Sequence, residues 1–104
     1  LAEVPVVAVI GEGDEAVELE GQIDRLVVLN RELLILDYKT NRPPPLTLQE
    51  VAPAYIAQLA AYRLALRRLF PGYALRAALL WTDGPRLMEI PSTSLAAAEC
   101  HLPR

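Results

Sequence analysis

The chain is poor in the residues that build disulfides, metal clusters and aromatic cores. Its 104 residues include one cysteine, one histidine, one methionine and one tryptophan, and 6% of them are aromatic. The single Cys100 excludes an internal disulfide and any zinc or iron–sulfur site built from several cysteines. We interpret Cys100 as an incidental thiol and His101 as an exposed tail residue. A reducing, cytoplasmic location is consistent with this composition.

Long apolar runs and a basic surplus are also missing. No apolar stretch approaches the roughly 20 residues of a membrane span, so we expect no membrane association. The formal net charge is −3, whereas a domain that grips DNA by itself is usually basic. The chain has neither an initiator methionine nor a signal peptide, and we therefore expect it to be part of a longer protein.

What the chain does contain is enough apolar material, 53% of its residues, for one small core. Apolar and β-branched runs predict strands at residues 4–10, 17–29, 32–39, 73–82 and 86–90. A helix is predicted from about residue 52 to residue 70, and a short helix from 92 to 98. Residues 1–104 are therefore predicted to form a single mixed α/β domain, with Pro5 marking the first strand as an edge.

Two acids and a lysine lie on the hairpin predicted from the second and third of these strands. Asn30 favours a turn, and pairing Leu29 with Glu32 makes the numbers of opposed residues sum to sixty-one. Asp24 then lies opposite Asp37. In the same register Gln22 lies opposite Lys39, and Lys39 shares a face with Asp37 because strand residues two apart do so. The other face is predicted to enter the core, with Ile23, Val27, Leu34, Leu36 and Tyr38.

Such a cluster has a chemical and a bland interpretation. Opposed side chains have Cβ atoms about 5 Å apart, and two carboxylates at that distance repel each other unless a cation lies between them. Oxygen ligands favour Mg²⁺ or Mn²⁺, and a metal beside Lys39 suits phosphodiester hydrolysis. The alternative is a surface salt bridge of Asp24, Asp37 and Lys39, which would be common and weak.

The predicted long helix carries a second polar signal. Gln58 and Tyr62 are four residues apart and share a face, with Tyr55 one turn earlier. They could point toward a polar site; alternatively, Gln58 is exposed and Tyr62 is a core aromatic with a hydrogen-bonded hydroxyl. The residues expected to be buried are Ile56, Leu59, Ala60, Leu66 and Leu69. The arginines expected at the solvent side or the C-terminal end are Arg63, Arg67 and Arg68.

Three segments in order resemble one nuclease family. They are Gly21-Gln22-Ile23-Asp24-Arg25-Leu26, Asp37-Tyr38-Lys39-Thr40-Asn41 and Gln58-Leu59-Ala60-Ala61-Tyr62. Together they resemble the RecB-like branch of the PD-(D/E)XK nucleases, over roughly residues 3–90. Within that branch the chain is most similar to the C-terminal nuclease domains of AddA-type subunits of bacterial AddAB helicase–nucleases.

The resemblance implies a restriction-endonuclease-like mixed sheet with a helix packed on it. It implies that Asp24, Asp37 and the backbone carbonyl of Tyr38 bind the metal and that Lys39 is the catalytic lysine. Gln58 and Tyr62 would match the Gln-x-x-x-Tyr motif, which supports the site and contacts DNA. The implied reaction is Mg²⁺-dependent cleavage of single strands leaving a helicase, in double-strand-break repair with an AddB-type partner.

One departure from the family limits this expectation. The RecB-like branch has a further metal ligand, a histidine on a helix before the first strand, and no residue here matches it. We therefore expect a site lacking that first core helix, with weak metal binding and poor cleavage by this chain alone. Two other interpretations stay open: an inactive nuclease fold with a structural or protein-interaction role, and an unrelated small α/β binding domain.

Overall fold

The computed structural model describes residues 1–102, which form one five-stranded mixed sheet with two helices. The strands are β1 (Ala2–Ile10), β2 (Val17–Leu29), β3 (Glu32–Lys39), β4 (Ala74–Trp81) and β5 (Arg86–Ile90). The helices are α1 (Pro53–Leu69) and α2 (Ser92–Glu99), and short 3-10 turns span Gly13–Glu15 and Leu48–Glu50. The strands lie in the order β1-β2-β3-β4-β5. The predicted mixed α/β class, and the position of β1 at an edge, are confirmed.

Helix α1 provides the crossover that the sheet requires. Strands β3 and β4 are parallel, whereas the other neighbours are antiparallel, and a parallel pair needs a long connection between its strands. The helix begins at Pro53, where a proline is tolerated because the first-turn N–H groups have no helical partner. It ends before Pro71 and Gly72, with Arg67 and Arg68 in its last turn, where positive charge is favourable.

Both helices pack on the same face of the sheet. Leu59 and Leu66 of α1 and Leu95 of α2 share one core with the strand residues Leu33 and Ile35. These side chains are at most 2% exposed. Within residues 1–102, no helix covers the opposite face.

The predicted core face of the hairpin is wrong for β3. Leu33, Ile35 and Asp37 are buried, while Leu34 and Leu36 are half-buried and Tyr38 is 40% exposed. Both faces of this strand are apolar, so periodicity alone could not select one. The position of α1 decides, and it places Asp37 on the covered face. In β2 the prediction is right for Ile23, which is buried, while Val27 is half-buried.

Two predictions for α1 are also wrong. Arg63 is not on the solvent side: it is 5% exposed and its Nε donates to Glu99 Oε1 at 3.1 Å. Leu69 was expected to be buried but is 66% exposed, because the core ends one turn earlier at Leu66. The short helix α2 explains the first error, since it brings an acid over a position that an isolated helix would leave in water.

The described part of the chain contains no helix that is both long and apolar enough to cross a membrane.

Candidate active site

The candidate site lies where β2 changes its pairing partner. The β2–β3 ladder runs from Leu29–Glu32 to Arg25–Leu36, which confirms the predicted register. Asp24 and Asp37 are the next pair in that register. Beyond this point β2 follows β1 instead, with Gln22 paired to Pro5. The predicted opposition of Gln22 and Lys39 is therefore wrong, because the two strands have already separated.

The separation allows the Asp24 side chain to take the place of a backbone partner. Tyr38 N–H donates to Asp24 Oδ2 at 2.8 Å, so the carboxylate is held against β3 where the ladder ends. On the open face, Arg25 Nε donates to the Tyr38 hydroxyl at 3.1 Å. Tyr38 thus contacts β2 twice, with its backbone N–H bound to Asp24 and its hydroxyl bound to Arg25.

Asp37 is a buried carboxylate that the protein does not fully satisfy. Its residue is 6% exposed, and Lys39 Nζ lies 2.7 Å from its Oδ2. The angles of this contact are not those of a hydrogen bond, however, and within residues 1–102 Oδ2 has no hydrogen-bond partner. The contact is therefore an ion pair that leaves Oδ2 able to accept a further ligand.

The two carboxyl groups influence each other's ionisation in opposite directions. Burial raises the pKa of Asp37, and hydrogen bonding to Asp24 raises it further, while Lys39 opposes the change. The pKa of Asp24 is lowered, first by the hydrogen bond from Asp37 and then by the Tyr38 N–H. One proton or one cation shared between the two carboxyl groups would reduce the repulsion between them.

Lys39 is held in place from the helix side. Its Nζ donates to Gln58 Oε1 at 3.4 Å, and it lies 4.2 Å from the centroid of the Tyr55 ring, within cation–π range. Tyr55 and Gln58 are three residues apart on α1 and so reach the same point. The ammonium group is thereby directed at Asp37 rather than into water.

Tyr62 joins α1 to the strand that carries Asp24. Its hydroxyl accepts from Gln22 N–H at 3.2 Å and from Gln58 Nε2 at 3.4 Å, and it donates to Gln22 O at 3.3 Å. This approach requires Gly21, because a Cβ there would lie 2.5 Å from the Tyr62 hydroxyl oxygen. The structure matches the second interpretation: Tyr62 is a core aromatic, 3% exposed, with a hydrogen-bonded hydroxyl, and Gln58 is exposed. Gln58 nevertheless reaches the site through its contact with Lys39.

All six residues expected at the site are thus brought together, and sequence reasoning missed parts of their support. It did not predict that the absence of a side chain at Gly21 allows the close approach of Tyr62, or that Lys39 makes a cation–π contact with Tyr55. Trp81 is a core residue, 1% exposed, and its buried Nε1 has no hydrogen-bond partner among the described residues. The three-residue spacing of Tyr55 and Gln58 was the available signal for the lysine contact.

The geometry fits a hard divalent cation. Asp37 Oδ2 is a buried oxygen whose one charged partner is Lys39 and which lies next to a second carboxylate, and Mg²⁺ is commonly bound by one or two carboxylates together with substrate phosphates. Residues 1–102 contain no group of three His, Cys, Asp or Glu side chains placed to hold a metal. The chain therefore offers two acidic side chains, and the remaining positions of such a cation would fall to water, backbone or phosphate oxygens.

Comparison with known proteins agrees with this arrangement. A family model described as the PD-(D/E)XK nuclease superfamily matches residues 2–98, which include every element from β1 to most of α2. No curated protein and no solved structure matches the chain. The five-stranded mixed sheet with its helices is consistent with the restriction-endonuclease-like fold of that superfamily. The chain belongs to the PD-(D/E)XK nuclease superfamily.

Proposed function

We propose that this protein is a metal-dependent DNA nuclease whose catalytic residues are Asp24, Asp37 and Lys39. The observation that carries the proposal is the pair of adjacent carboxylates with an unsatisfied oxygen on Asp37, beside a directed lysine. A purely structural ion pair does not need a second acid at that point. Membership of a nuclease superfamily supports the same conclusion.

Asp24, Asp37 and the Tyr38 carbonyl would hold Mg²⁺ or Mn²⁺. The N–H and C=O of a strand residue point to the same edge, and Tyr38 N–H points to Asp24. The carbonyl of Lys39 instead accepts from Thr82 N–H on the β4 side. Alternation along β3 therefore supports a Tyr38 carbonyl directed to the Asp24 side. The bound cation would supply Lewis-acid activation of water and neutralise phosphate charge.

The protein's own groups would position the reactants. Lys39 Nζ would orient the attacking water or hold a phosphate oxygen, and its charge would stabilise the developing negative charge. Gln58 orients Lys39, and Tyr62 fixes the Asp24 strand relative to the helix. Arg25 and Arg42 are candidate phosphate contacts, since phosphate contacts position a strand without reading its sequence.

The finer proposal is exonuclease action on single strands produced by a helicase, as part of an AddA-type helicase–nuclease with an AddB-type partner in double-strand-break repair. The resemblance in the Gly21–Leu26, Asp37–Asn41 and Gln58–Tyr62 segments supports it, and so does the net charge of −3. A domain with that charge is suited to DNA delivered by other domains.

The second candidate is an inactive nuclease fold with a structural or protein-interaction role. The observation that favours it is the lack of a third acid or histidine near Asp24 and Asp37 among residues 1–102. Two side-chain ligands give a weaker site than three, and in this candidate Lys39 would simply neutralise Asp37.

A combined binding and cleavage experiment separates the two candidates. Mn²⁺ is titrated into the ¹⁵N-labelled protein, and the wild type, Asp37→Ala and Lys39→Ala are then given an end-labelled single-stranded oligonucleotide with Mg²⁺ or Mn²⁺. Glu89→Gln, on the uncovered face, is the control. We expect paramagnetic broadening centred on Asp24 and Tyr38 in the wild type, and loss of cleavage by about 10²-fold or more in both site variants.

The opposite result would remove the enzymatic proposal. Wild-type cleavage no faster than that of Asp37→Ala, together with no broadening at any Mn²⁺ concentration, leaves the inactive-module candidate. Broadening that persists in Asp37→Ala would place the metal elsewhere.

A further inference from the structure

A pocket of about 260 Å³ is lined in part by Tyr55, whose ring Lys39 also contacts. Its walls come from the loop after β3, with Asn41 and the three prolines 43–45, from Glu50 before α1, and from Tyr55 and Trp81. We name it the proline pocket. It is distinct from the carboxylate pair and shares with it only the Tyr55 ring, which Lys39 covers.

Aromatic rings and prolines line the proline pocket. Tyr55 and Trp81 pack with ring centroids 6.1 Å apart and planes inclined at 49°, and consecutive prolines have restricted backbone dihedrals. Surfaces of this kind favour a planar, apolar-faced guest, as when unpaired bases stack on aromatic side chains. The volume is small, which suits one ring system rather than a base pair.

Polar groups at the pocket walls suit the edge of such a guest. Asn41 Oδ1 accepts from the Tyr55 hydroxyl at 3.2 Å, a bond that does not use its amide NH₂ group. Glu50 adds a carboxylate whose Oε1 accepts from the Thr47 hydroxyl at 3.2 Å. The walls thus combine an amide donor, Asn41, with a carboxylate acceptor, Glu50.

The charges of the two neighbouring sites favour different parts of a nucleotide, the phosphate at one and the base at the other. Glu50 at the proline pocket disfavours a phosphate, whereas Lys39 attracts one at the neighbouring site. Lys39 Nζ is 4.2 Å from the Tyr55 centroid, and Lys39 and Trp81 are paired positions of β3 and β4. A nucleotide with its phosphate at Lys39 therefore has its base beside the proline pocket.

From this geometry we infer that the proline pocket receives one unpaired nucleobase of the strand whose phosphodiester lies at Lys39. The inference rests on the proposed nuclease function and sharpens it. A base can enter only when it is free of its partner, so single-stranded DNA is the substrate class and duplex DNA is not. Base occupancy also orients the scissile phosphate, so the pocket is a positioning element of the site.

The only tryptophan of the chain provides a direct probe, since Trp81 forms one wall. Trp81 fluorescence is followed in EDTA, where no cleavage occurs, during titration with a short single-stranded oligodeoxynucleotide. The titration is repeated with oligomers carrying one abasic residue at each position in turn, and with the matching duplex. Asn41→Ala tests the pocket, and Gln49→Ala, next to Glu50 but outside this pocket, is the matched control.

We expect saturable quenching by the intact strand and about tenfold or greater weakening when one particular position is abasic, because stacking of a base is worth roughly 1–3 kcal/mol. Asn41→Ala should weaken binding of the intact strand, while Gln49→Ala should not.

Equal affinity for intact and abasic strands, equal affinity for duplex, or no quenching overturns the inference. Its failure is distinguishable from failure of the nuclease proposal. If metal-dependent cleavage is lost in Lys39→Ala but abasic strands are cut as fast as intact ones, the nuclease stands and the base pocket falls. If the abasic effect is found without any cleavage, the pocket stands and catalysis falls.

Discussion

Two charge clusters that contact α1, each with a buried acid, have opposite balances of acids and bases. The cluster of Arg63, Arg67 and Glu99 has two bases for one acid, and Glu99 Oε1 accepts from Arg63 Nε at 3.1 Å and from Arg67 at 3.2 Å. The cluster at the candidate site has two acids, Asp24 and Asp37, for the one base Lys39.

The ionisation of the acids follows this balance. Burial opposes ionisation of Glu99, but the hydrogen bond from Arg63 and the charges of both arginines outweigh it, so the pKa of Glu99 is lowered. At Asp37 burial and the Asp24 carboxyl together outweigh Lys39, so the pKa is raised. The first cluster is complete without a ligand, whereas the second lacks one positive charge. This difference separates a structural ion pair from a site prepared for a cation.

Glu99→Ala should cause the largest loss of stability in this comparison. The side chains of Arg63 and Glu99 are 6% and 5% exposed, and removing one partner leaves a buried charge unpaired. The expected loss is about 3–5 kcal/mol in the free energy of unfolding, measured by urea denaturation. Arg67→Ala is the matched control because this side chain is 50% exposed, and it should cost less than about 1 kcal/mol. A loss of that small size for Glu99→Ala would show that α2 is held by its apolar contacts alone.

Asp37→Asn should instead raise the free energy of unfolding in metal-free buffer. It removes a carboxylate whose pKa is raised by burial and by Asp24, while Asp24 stays beside Lys39, so at neutral pH we expect a gain on the order of 1 kcal/mol. Adding Mg²⁺ should make the wild type more stable than Asp37→Asn. At a concentration one hundred times the dissociation constant, a ligand stabilises the protein that binds it by about 2.7 kcal/mol, and Asp37→Asn should gain none of this. Melting temperatures with and without Mg²⁺ measure both effects; equal metal responses would contradict them.

The pH dependence of the two acids should also differ in sign. Glu99 has a lowered folded-state pKa, so its contribution is present above its unfolded pKa and is lost as pH falls through the folded value. Asp37 has a raised folded-state pKa, so its ionisation destabilises the fold as pH rises above its unfolded value.

Denaturation of the wild type, Glu99→Gln and Asp37→Asn across the acid range measures this difference. The deficit of Glu99→Gln should be full at neutral pH and vanish in acid. The advantage of Asp37→Asn should likewise be confined to higher pH. Parallel profiles for all three proteins would refute both assignments.

The same comparison explains what the sequence could predict. The hairpin register, and with it the meeting of Asp24 and Asp37, followed from Asn30 and the pairing of Leu29 with Glu32, which are local signals. The Arg63–Glu99 pair was missed because its partners are thirty-six residues apart and no local pattern links them.

The buried face of β3 was predicted wrongly for a related reason. Leucine and isoleucine occupy both faces of that strand, so the outcome depended on which side the α1 crossover would cover. Asp37 was therefore expected on the face opposite the core, and the structure places it on the face that α1 covers instead. Its burial is what raises its pKa and leaves Oδ2 unsatisfied.

The smallest expected effects concern the neutral contacts that join the candidate site to α1. Tyr62→Phe removes the hydroxyl that bonds Gln22 and should cost about 1 kcal/mol, as for a typical hydrogen bond. Gly21→Ala should cost more, because its new Cβ would lie 2.5 Å from that hydroxyl in a buried ring that cannot easily move.

Combining Tyr62→Phe with Gly21→Ala tests whether the position needs a glycine because of its close contact with the Tyr62 hydroxyl. With the oxygen gone, the nearest ring atoms of Tyr62 lie 3.1 and 3.2 Å from the added Cβ, a crowding that small shifts relieve. The double variant should therefore lose less stability than the two single variants together, by a coupling energy of about 0.5–1 kcal/mol. Additive losses would mean that Gly21 is required by the backbone of β2 and not by Tyr62, and the link from α1 to Asp24 would then rest on Gln58 and Lys39.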